Sequence, residues 1–334
     1  MDEFHGARGV RRADVPRPFK TAESSKELGA LLDAFLDAHP NTGLMVVKDD
    51  AILAERYQYG RTAQHRFASA SVAKTVLGML VGIAVHEKKL SLDDKAAQYV
   101  PELKGHPYGE TSIRHLLTMS SGMAFDENKI VRNTLWRGTE GGADTVIEFK
   151  QREAPAGMRF RYSSSDSQVL GLVLIAAVKK PLAEYLSEKI WRPMGAEAHA
   201  TWLLDKAGYE TGYCCINATL RDFARFGMLL AHYGAMDGKQ IIPAGWVKAA
   251  TTPEAPHLRV GAATPNNGYG YQTWITHRTE PRFAALGIHG QAIYIDTATR
   301  LVVVHTAAWS DPRDRAERGA QFRLWENLLT RLSQ

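Results

Sequence analysis

The sequence predicts an α+β fold: an antiparallel sheet built from both chain ends and flanked by helices, with a mostly helical inserted domain. Three observations carry this. Strand-like segments gather near the start, over residues 44–57, and again over the last seventy residues. Between them, from about Ser91 to Pro265, the chain reads as helices joined by long polar connections. Strands and helices are therefore segregated rather than alternating as βαβ units. The expected organisation is a polar tail over 1–20, an α/β domain formed by 21–90 and 265–334, and a mainly helical domain over 91–264.

Leu28, Leu31, Leu32, Phe35 and Leu36 recur at helical spacing, predicting a one-sided helix from about Ser25 to Ala38. Pro40-Asn41-Thr42-Gly43 ends it. Leu44–Val47 and Ile52–Tyr57 flank Asp49-Asp50 and read as a hairpin. The next segment, Phe67 to His86, is apolar on nearly every side after Ser71, as befits a helix in the middle of a protein. Lys88-Lys89 suit its C-terminus.

Thr111–Leu117 predicts a short helix, and residues 124–143, rich in Gly, Asn, Asp and Glu around Trp136, predict a long surface loop. Val169–Val178 is a second all-apolar helix. Thr219-Leu220-Arg221-Asp222 fits a capping box before a helix over Phe223–His232. Four strand candidates follow, Tyr269–Ile275, Phe283–Ile288, Ala292–Ile295 and Leu301–Val304, the last two joined by a turn at Asp296–Arg300. A closing helix places Phe322, Trp325, Leu328, Leu329 and Leu332 on one face.

Composition excludes several classes. The net charge of +5 is scattered, apart from Arg8, Arg11, Arg12, Arg17 and Lys20, which read as a solvated tail. There is no basic stripe with a nucleic-acid motif, and no uncharged apolar run long enough for a membrane span. Residues 1–20 lack the apolar core of a signal peptide, so the expectation is a cytoplasmic protein, or a periplasmic or secreted one numbered after a removed leader. Cys214 and Cys215 are adjacent, a geometry that disfavours a disulfide, and read as buried free thiols. No metal, nucleotide or flavin signature is present, so no cofactor and no metal ligand are expected.

Three places could carry chemistry. Ser71 and Lys74 lie three residues apart in the first turn of the apolar helix, on one face. A lysine there is costly to bury unless paired or deprotonated. Free N–H groups at a helix start favour developing negative charge. The alternative is a capping serine with a snorkelling lysine. Tyr162, in the Ser-rich turn before the second apolar helix, gains meaning if it meets Lys74, since a phenol and an ammonium of similar pKa share a proton readily. In Gly287-Ile288-His289-Gly290-Gln291, glycines interrupt a strand and signal close approach by a ligand or another backbone. His289 reads as a solvent-facing or satisfied histidine, or as a base.

With these in order, the chain resembles the serine hydrolases of the penicillin-binding and class C β-lactamase superfamily, from about Leu44 to the C-terminus. Ser71-x-x-Lys74, Tyr162 and the Gly-interrupted late strand are joined by Lys89–Asp94, His115–Gly122, Pro155-Ala156-Gly157, Arg221–Gly227 and Gly268–Gln272. Within the superfamily, His115–Gly122 and Gly287–Gln291 resemble the esterase and nylon-oligomer (aminohexanoate-dimer) hydrolase branch. The resemblance implies a β-lactamase/transpeptidase-like fold and an acyl-enzyme on Ser71, with Lys74 as proton acceptor and Tyr162 as acid/base. It implies an oxyanion hole from the backbone N–H groups of Ser71 and Ile288. It also implies a polar substrate contact at Asn217. Ser164, Gly287 and His289 are further candidate substrate contacts, and the 124–143 loop with Trp136 reads either as a lid over an aliphatic acyl chain or as a mobile surface loop carrying a stray tryptophan.

Two departures from true β-lactamases stand out: Tyr162-Ser163-Ser164 replaces Tyr-x-Asn, and Ala285-Leu286-Gly287 lacks the late-strand cation. The substrate implied is a small-molecule ester or amide. The alternatives are a D-alanyl peptidase or weak β-lactamase and, from another class, a catalytically silent binding or sensor module.

Overall fold

In an eight-stranded sheet, Leu301–Ala307 pairs antiparallel with Asn41–Lys48, Leu301 opposite Lys48 and His305 opposite Leu44, so the two chain ends meet at its centre. The structure, a computed structural model, describes residues 5–136 and 138–332, with the backbone alone at Trp136. Outward from the centre run Ala292–Asp296, Arg282–Leu286, Trp274–Ile275 and Gly268–Tyr269 on one side, and Ala51–Tyr57 then the parallel edge strand Lys20–Thr21 on the other. The mixed α+β fold, with a sheet flanked by helices and a helical insert, is the architecture expected.

Both faces of this sheet are covered, which explains the unbroken apolar run Leu44–Val47. Side chains alternate across a strand. Leu44 and Val46 pack with Leu32, Val303, Trp325 and Leu328 beneath the helices Lys26–Ala38 and Arg315–Leu332. Met45 and Val47 join Val302, Val304, Leu77 and Leu80 on the opposite face, under the helices Val72–His86 and Leu220–Ala231.

The helix Val72–His86 is buried without a break from Val72 to Ala84. Burial of each large aliphatic side chain contributes about 1.5–3 kcal/mol, so packing holds this helix rigidly. Its glycines let neighbours approach: a Cβ at Gly82 would overlap the Trp246 indole, whose Nε1 donates to the Gly78 carbonyl at 3.0 Å. The landmark Arg221–Gly227 proves architectural. Arg225, 1% exposed, pairs with Asp222 at 2.5 Å and Glu197 at 2.6 Å.

Three expectations need correction. The N-terminal segment is not a solvated tail. Ala7–Val10 pairs with Ala200–Leu203, Val10 is fully buried, and Arg8 meets the buried Glu210 at 2.9 Å. This strand belongs to a second sheet, ordered Ala7–Val10, Ala200–Leu203, Ile216–Ala218, Phe67–Ala68. Residues 124–143 are not one loop: they hold the helix Glu127–Val131, a π-helical turn Arg132–Trp136 and the start of the helix Gly142–Ile147. Ile130 and Thr134 are buried there, an anchorage too short to register as periodicity. Finally, Cys214 and Cys215 are joined as a disulfide rather than standing free. Cys215 takes a φ of +80°, which breaks the alternation that would send adjacent side chains to opposite faces.

Candidate active site

The second sheet delivers the chain to Ser71. Phe67–Ala68 pairs with Ile216–Ala218, the Ser69 N–H donates to the Ile216 carbonyl at 2.8 Å, and the Cys215 N–H donates to the Ala70 carbonyl at 3.3 Å. Ala70 is forced to a φ of +44°, a tight corner that presents Ser71 at the head of the buried helix. The Ser71 side chain caps nothing. This disposes of the capping-serine reading.

Lys74 does not snorkel. It is 1% exposed, and its Nζ donates to Ser71 Oγ at 3.0 Å, Ser164 Oγ at 3.3 Å and the Tyr213 carbonyl at 2.9 Å. Those are the three donors an ammonium possesses. The Tyr162 ring centroid lies 4.8 Å from this nitrogen and the Tyr213 ring 5.4 Å. Burial pulls the Lys74 pKa down to about 8, against an opposing pull from the Glu127 carboxylate.

Tyr162 shares a hydrogen bond with Ser71, and burial holds its phenol well above the ordinary value, so it is protonated at neutral pH. Its ring stacks on Trp274 at 5.1 Å and meets Tyr269 edge-on at 6.0 Å. Those contacts fix the hydroxyl. Behind it, the fully buried Asp166 accepts from Ser121 Oγ at 2.8 Å and from the Tyr108 hydroxyl at 3.1 Å. This ties the His115–Gly122 landmark to the helix Ser164–Val178.

The late strand approaches from the other side. A Cβ at Gly287 would lie 2.7 Å from the Ser69 carbonyl oxygen, so only glycine brings this strand so close to the nucleophile's corner. The Gly287 carbonyl accepts from Arg318 Nη2 at 2.6 Å. Across a planar trans peptide, the Ile288 N–H must then point away from Arg318.

Ser71, Lys74, Tyr162 and Ser164 thus converge. His289 is otherwise engaged: its Nδ1 meets the Trp309 carbonyl at 2.7 Å and its N–H the Pro312 carbonyl at 2.9 Å, holding the C-terminal loop against the strand. Asn217 sits in the short sheet opposite Thr201 and Ala68. The Trp136 side chain lies outside the described residues.

Sequence reasoning missed Glu127, Thr134 and Tyr213. Glu127 Oε1 accepts from Ser164 Oγ at 2.5 Å and its Oε2 from the Ser164 N–H at 3.0 Å. A signal existed: Asp126 caps the Glu127–Val131 helix by accepting from the Lys129 N–H at 3.0 Å, and Asp-Glu at a helix start is a recognisable pattern. Among the described residues no group of three or more His, Cys, Asp or Glu side chains is placed to hold a metal, and no helix is long and apolar enough to cross a membrane.

A hydroxyl and a buried amine at the head of a core helix, closed by a tyrosine and a late strand, define the penicillin-binding and class C β-lactamase class of fold. The chain belongs to the Beta-lactamase family, whose model matches residues 28–324. It is 27% identical over 343 residues to the 6-aminohexanoate-dimer hydrolase of Paenarthrobacter ureafaciens, covering 96% of this chain and 87% of that one. A Bacillus anthracis structure proposed to be a 6-aminohexanoate-dimer hydrolase superposes with a TM-score of 0.88 at 26% identity, over 100% of this chain and 94% of that one. A penicillin-binding protein from Bacillus halodurans shares the fold, with a TM-score of 0.70 at 15% identity over 90% and 99% of the two chains. Membership supports serine-hydrolase activity of the esterase and amidase kind.

Proposed function

We propose that this protein hydrolyses a small ester or linear amide, of the aminohexanoate-oligomer kind, through an acyl-enzyme on Ser71. The observation that carries this reading is the 3.0 Å contact between Ser71 Oγ and a Lys74 amine that burial has made easy to deprotonate.

A serine hydroxyl needs an adjacent base to attack a carbonyl near neutral pH. Neutral Lys74 takes the Ser71 proton as Oγ bonds to the acyl carbon. The oxyanion rests between the N–H groups of Ser71 and Ile288; one such donor stabilises the transition state by about 2.7–4 kcal/mol. Tyr162, still protonated, gives its proton to the leaving alcohol or amine. A tyrosinate and an ammonium now stand side by side. The tyrosinate takes a proton from water, the resulting hydroxide attacks the acyl carbon, and Lys74 returns its proton to Ser71 Oγ as the ester bond breaks.

Ester and linear-amide substrates are favoured over β-lactams because Ala285-Leu286-Gly287 offers no cation for a β-lactam carboxylate. A silent binding module would have no use for a buried amine hydrogen-bonded to a serine hydroxyl. The test is a panel of nitrophenyl esters, linear aminohexanoate amides and a chromogenic cephalosporin, run with wild type and Ser71→Ala. Turnover of esters or linear amides that vanishes in the variant is expected; turnover retained by Ser71→Ala refutes the reading.

A further inference from the structure

We propose that Glu127 and Thr134 are positioning residues that clasp Ser164 and Tyr213, the two residues that accept from Lys74, and so direct its lone pair at Ser71. The inference rests on the hydrolase reading above, but its geometry stands by itself. Apart from Ser71 Oγ, Lys74 Nζ donates to Ser164 Oγ and to the Tyr213 carbonyl. Both residues are tied to the same short segment, Ser164 through the accepting hydroxyl itself and Tyr213 through its phenol. Glu127 takes two hydrogen bonds from Ser164, and Thr134 Oγ1 is bonded to the Tyr213 hydroxyl. Because Thr134 Oγ1 also donates to the Ile130 carbonyl at 2.7 Å, the Tyr213 hydroxyl is the donor in that pair.

Proton counting gives the clasp its consequence. A hydroxyl has one proton, and Ser164 spends its own on Glu127, so Ser164 can only accept from Lys74. The Tyr213 carbonyl can only accept as well. A neutral amine has two protons and one lone pair. Both protons are claimed by Ser164 and Tyr213, and the lone pair is left facing Ser71 Oγ. In place of the asparagine of Tyr-x-Asn, a side chain that can donate or accept, this chain uses a serine whose direction is set by a carboxylate.

The surrounding titratable groups come from several segments. Tyr162 precedes the Ser164–Val178 helix, Tyr213 has Asp205 behind it, Arg313 in the C-terminal loop acts on Tyr162, and Asp166 is committed to Ser121 and Tyr108. Glu127 is the charge that acts on Lys74 itself.

The experiment compares full-length wild type, Glu127→Gln and Thr134→Val, each checked for folding by thermal melting. The pH profile of kcat/KM for a nitrophenyl ester is measured alongside an NMR titration of the Lys74 side chain. Glu127→Gln should lower the Lys74 inflection by about 1 pH unit, since the charge favouring the ammonium is gone, and should lower the high-pH plateau about tenfold or more. Thr134→Val removes a neutral hydrogen bond, so its plateau should fall while its inflection stays. A Glu127→Gln variant that titrates as wild type overturns the proposal, whatever its rate; so do two variants with wild-type plateaus. The NMR titration needs no turnover. Failure of the clasp is therefore distinct from failure of the hydrolase reading, which shows as unchanged hydrolysis in Ser71→Ala.

Discussion

Lys74 Nζ lies 3.0 Å from Ser71 Oγ, yet Lys74 is 1% exposed while the serine beside it is only half-buried. A buried base thus meets a reachable nucleophile. With the Lys74 pKa near 8, kcat/KM for a neutral ester should rise with pH through an inflection near 8 and then level, because the neutral amine is the active form. Tyr162, held above its ordinary value, should produce no falling limb below about pH 10. A profile that is flat, or that falls across this window, would remove Lys74 from the role of base.

Tyr162→Phe keeps the ring that stacks on Trp274 and deletes only the hydroxyl. Loss of a general acid costs about 10²–10⁴-fold in rate, far beyond the roughly 1 kcal/mol of an ordinary hydrogen bond. The expected result is a fall of that size in kcat with an unchanged melting temperature. A change below about threefold would return Tyr162 to a packing role.

Gly287→Ala places a methyl 2.7 Å from the Ser69 carbonyl oxygen, and that backbone cannot yield without moving Ser71. Pushing the strand away withdraws the Ile288 N–H from the oxyanion. We expect a loss of kcat approaching the about 2.7–4 kcal/mol of one oxyanion donor, with a small effect on KM. Steady-state kinetics decide it, and wild-type kcat would exclude Ile288 from the hole.

Asp166 gives a prediction for stability rather than rate. Burial raises its pKa to about 6 from an ordinary 3.8. A raised folded pKa means that the folded state holds the proton more tightly than the unfolded state. The contribution to stability is therefore full below about pH 4 and is lost as pH rises through about 6. Denaturant melts of wild type and Asp166→Asn should show the wild-type advantage shrinking by about 2 kcal/mol between pH 4 and pH 6, on the way to a full loss of about 3 kcal/mol at higher pH. A pH-independent difference would contradict it.

The parts of this molecule legible in its sequence are those where one physical rule acts alone. The all-apolar stretch after Ser71 reads as a core helix, and Gly287 interrupting a strand pattern signals close approach, here by the Ser69 backbone. Thr219 was readable as a cap, and it accepts from the Asp222 N–H. Strand Ala7–Val10 was not legible, because it is four residues long and its one deeply buried side chain, Val10, is a weak signal by itself, while the partner of Arg8, Glu210, lies 202 positions away. The roles of Glu127 and Thr134, as distinct from the helix start at Asp126-Glu127, were hidden for a different reason. Their partners Ser164 and Tyr213 are 37 and 79 positions away in the chain, and hydrogen bonds at that range leave no periodic trace.

Peptide-level mass spectrometry after treatment with a fluorophosphonate asks whether Ser71 is the acylated residue. One adduct is expected, on the peptide holding Ser71, absent from Ser71→Ala and slower to form below pH 7 as Lys74 gains its proton. An adduct on another residue, or none on a folded protein, would contradict it.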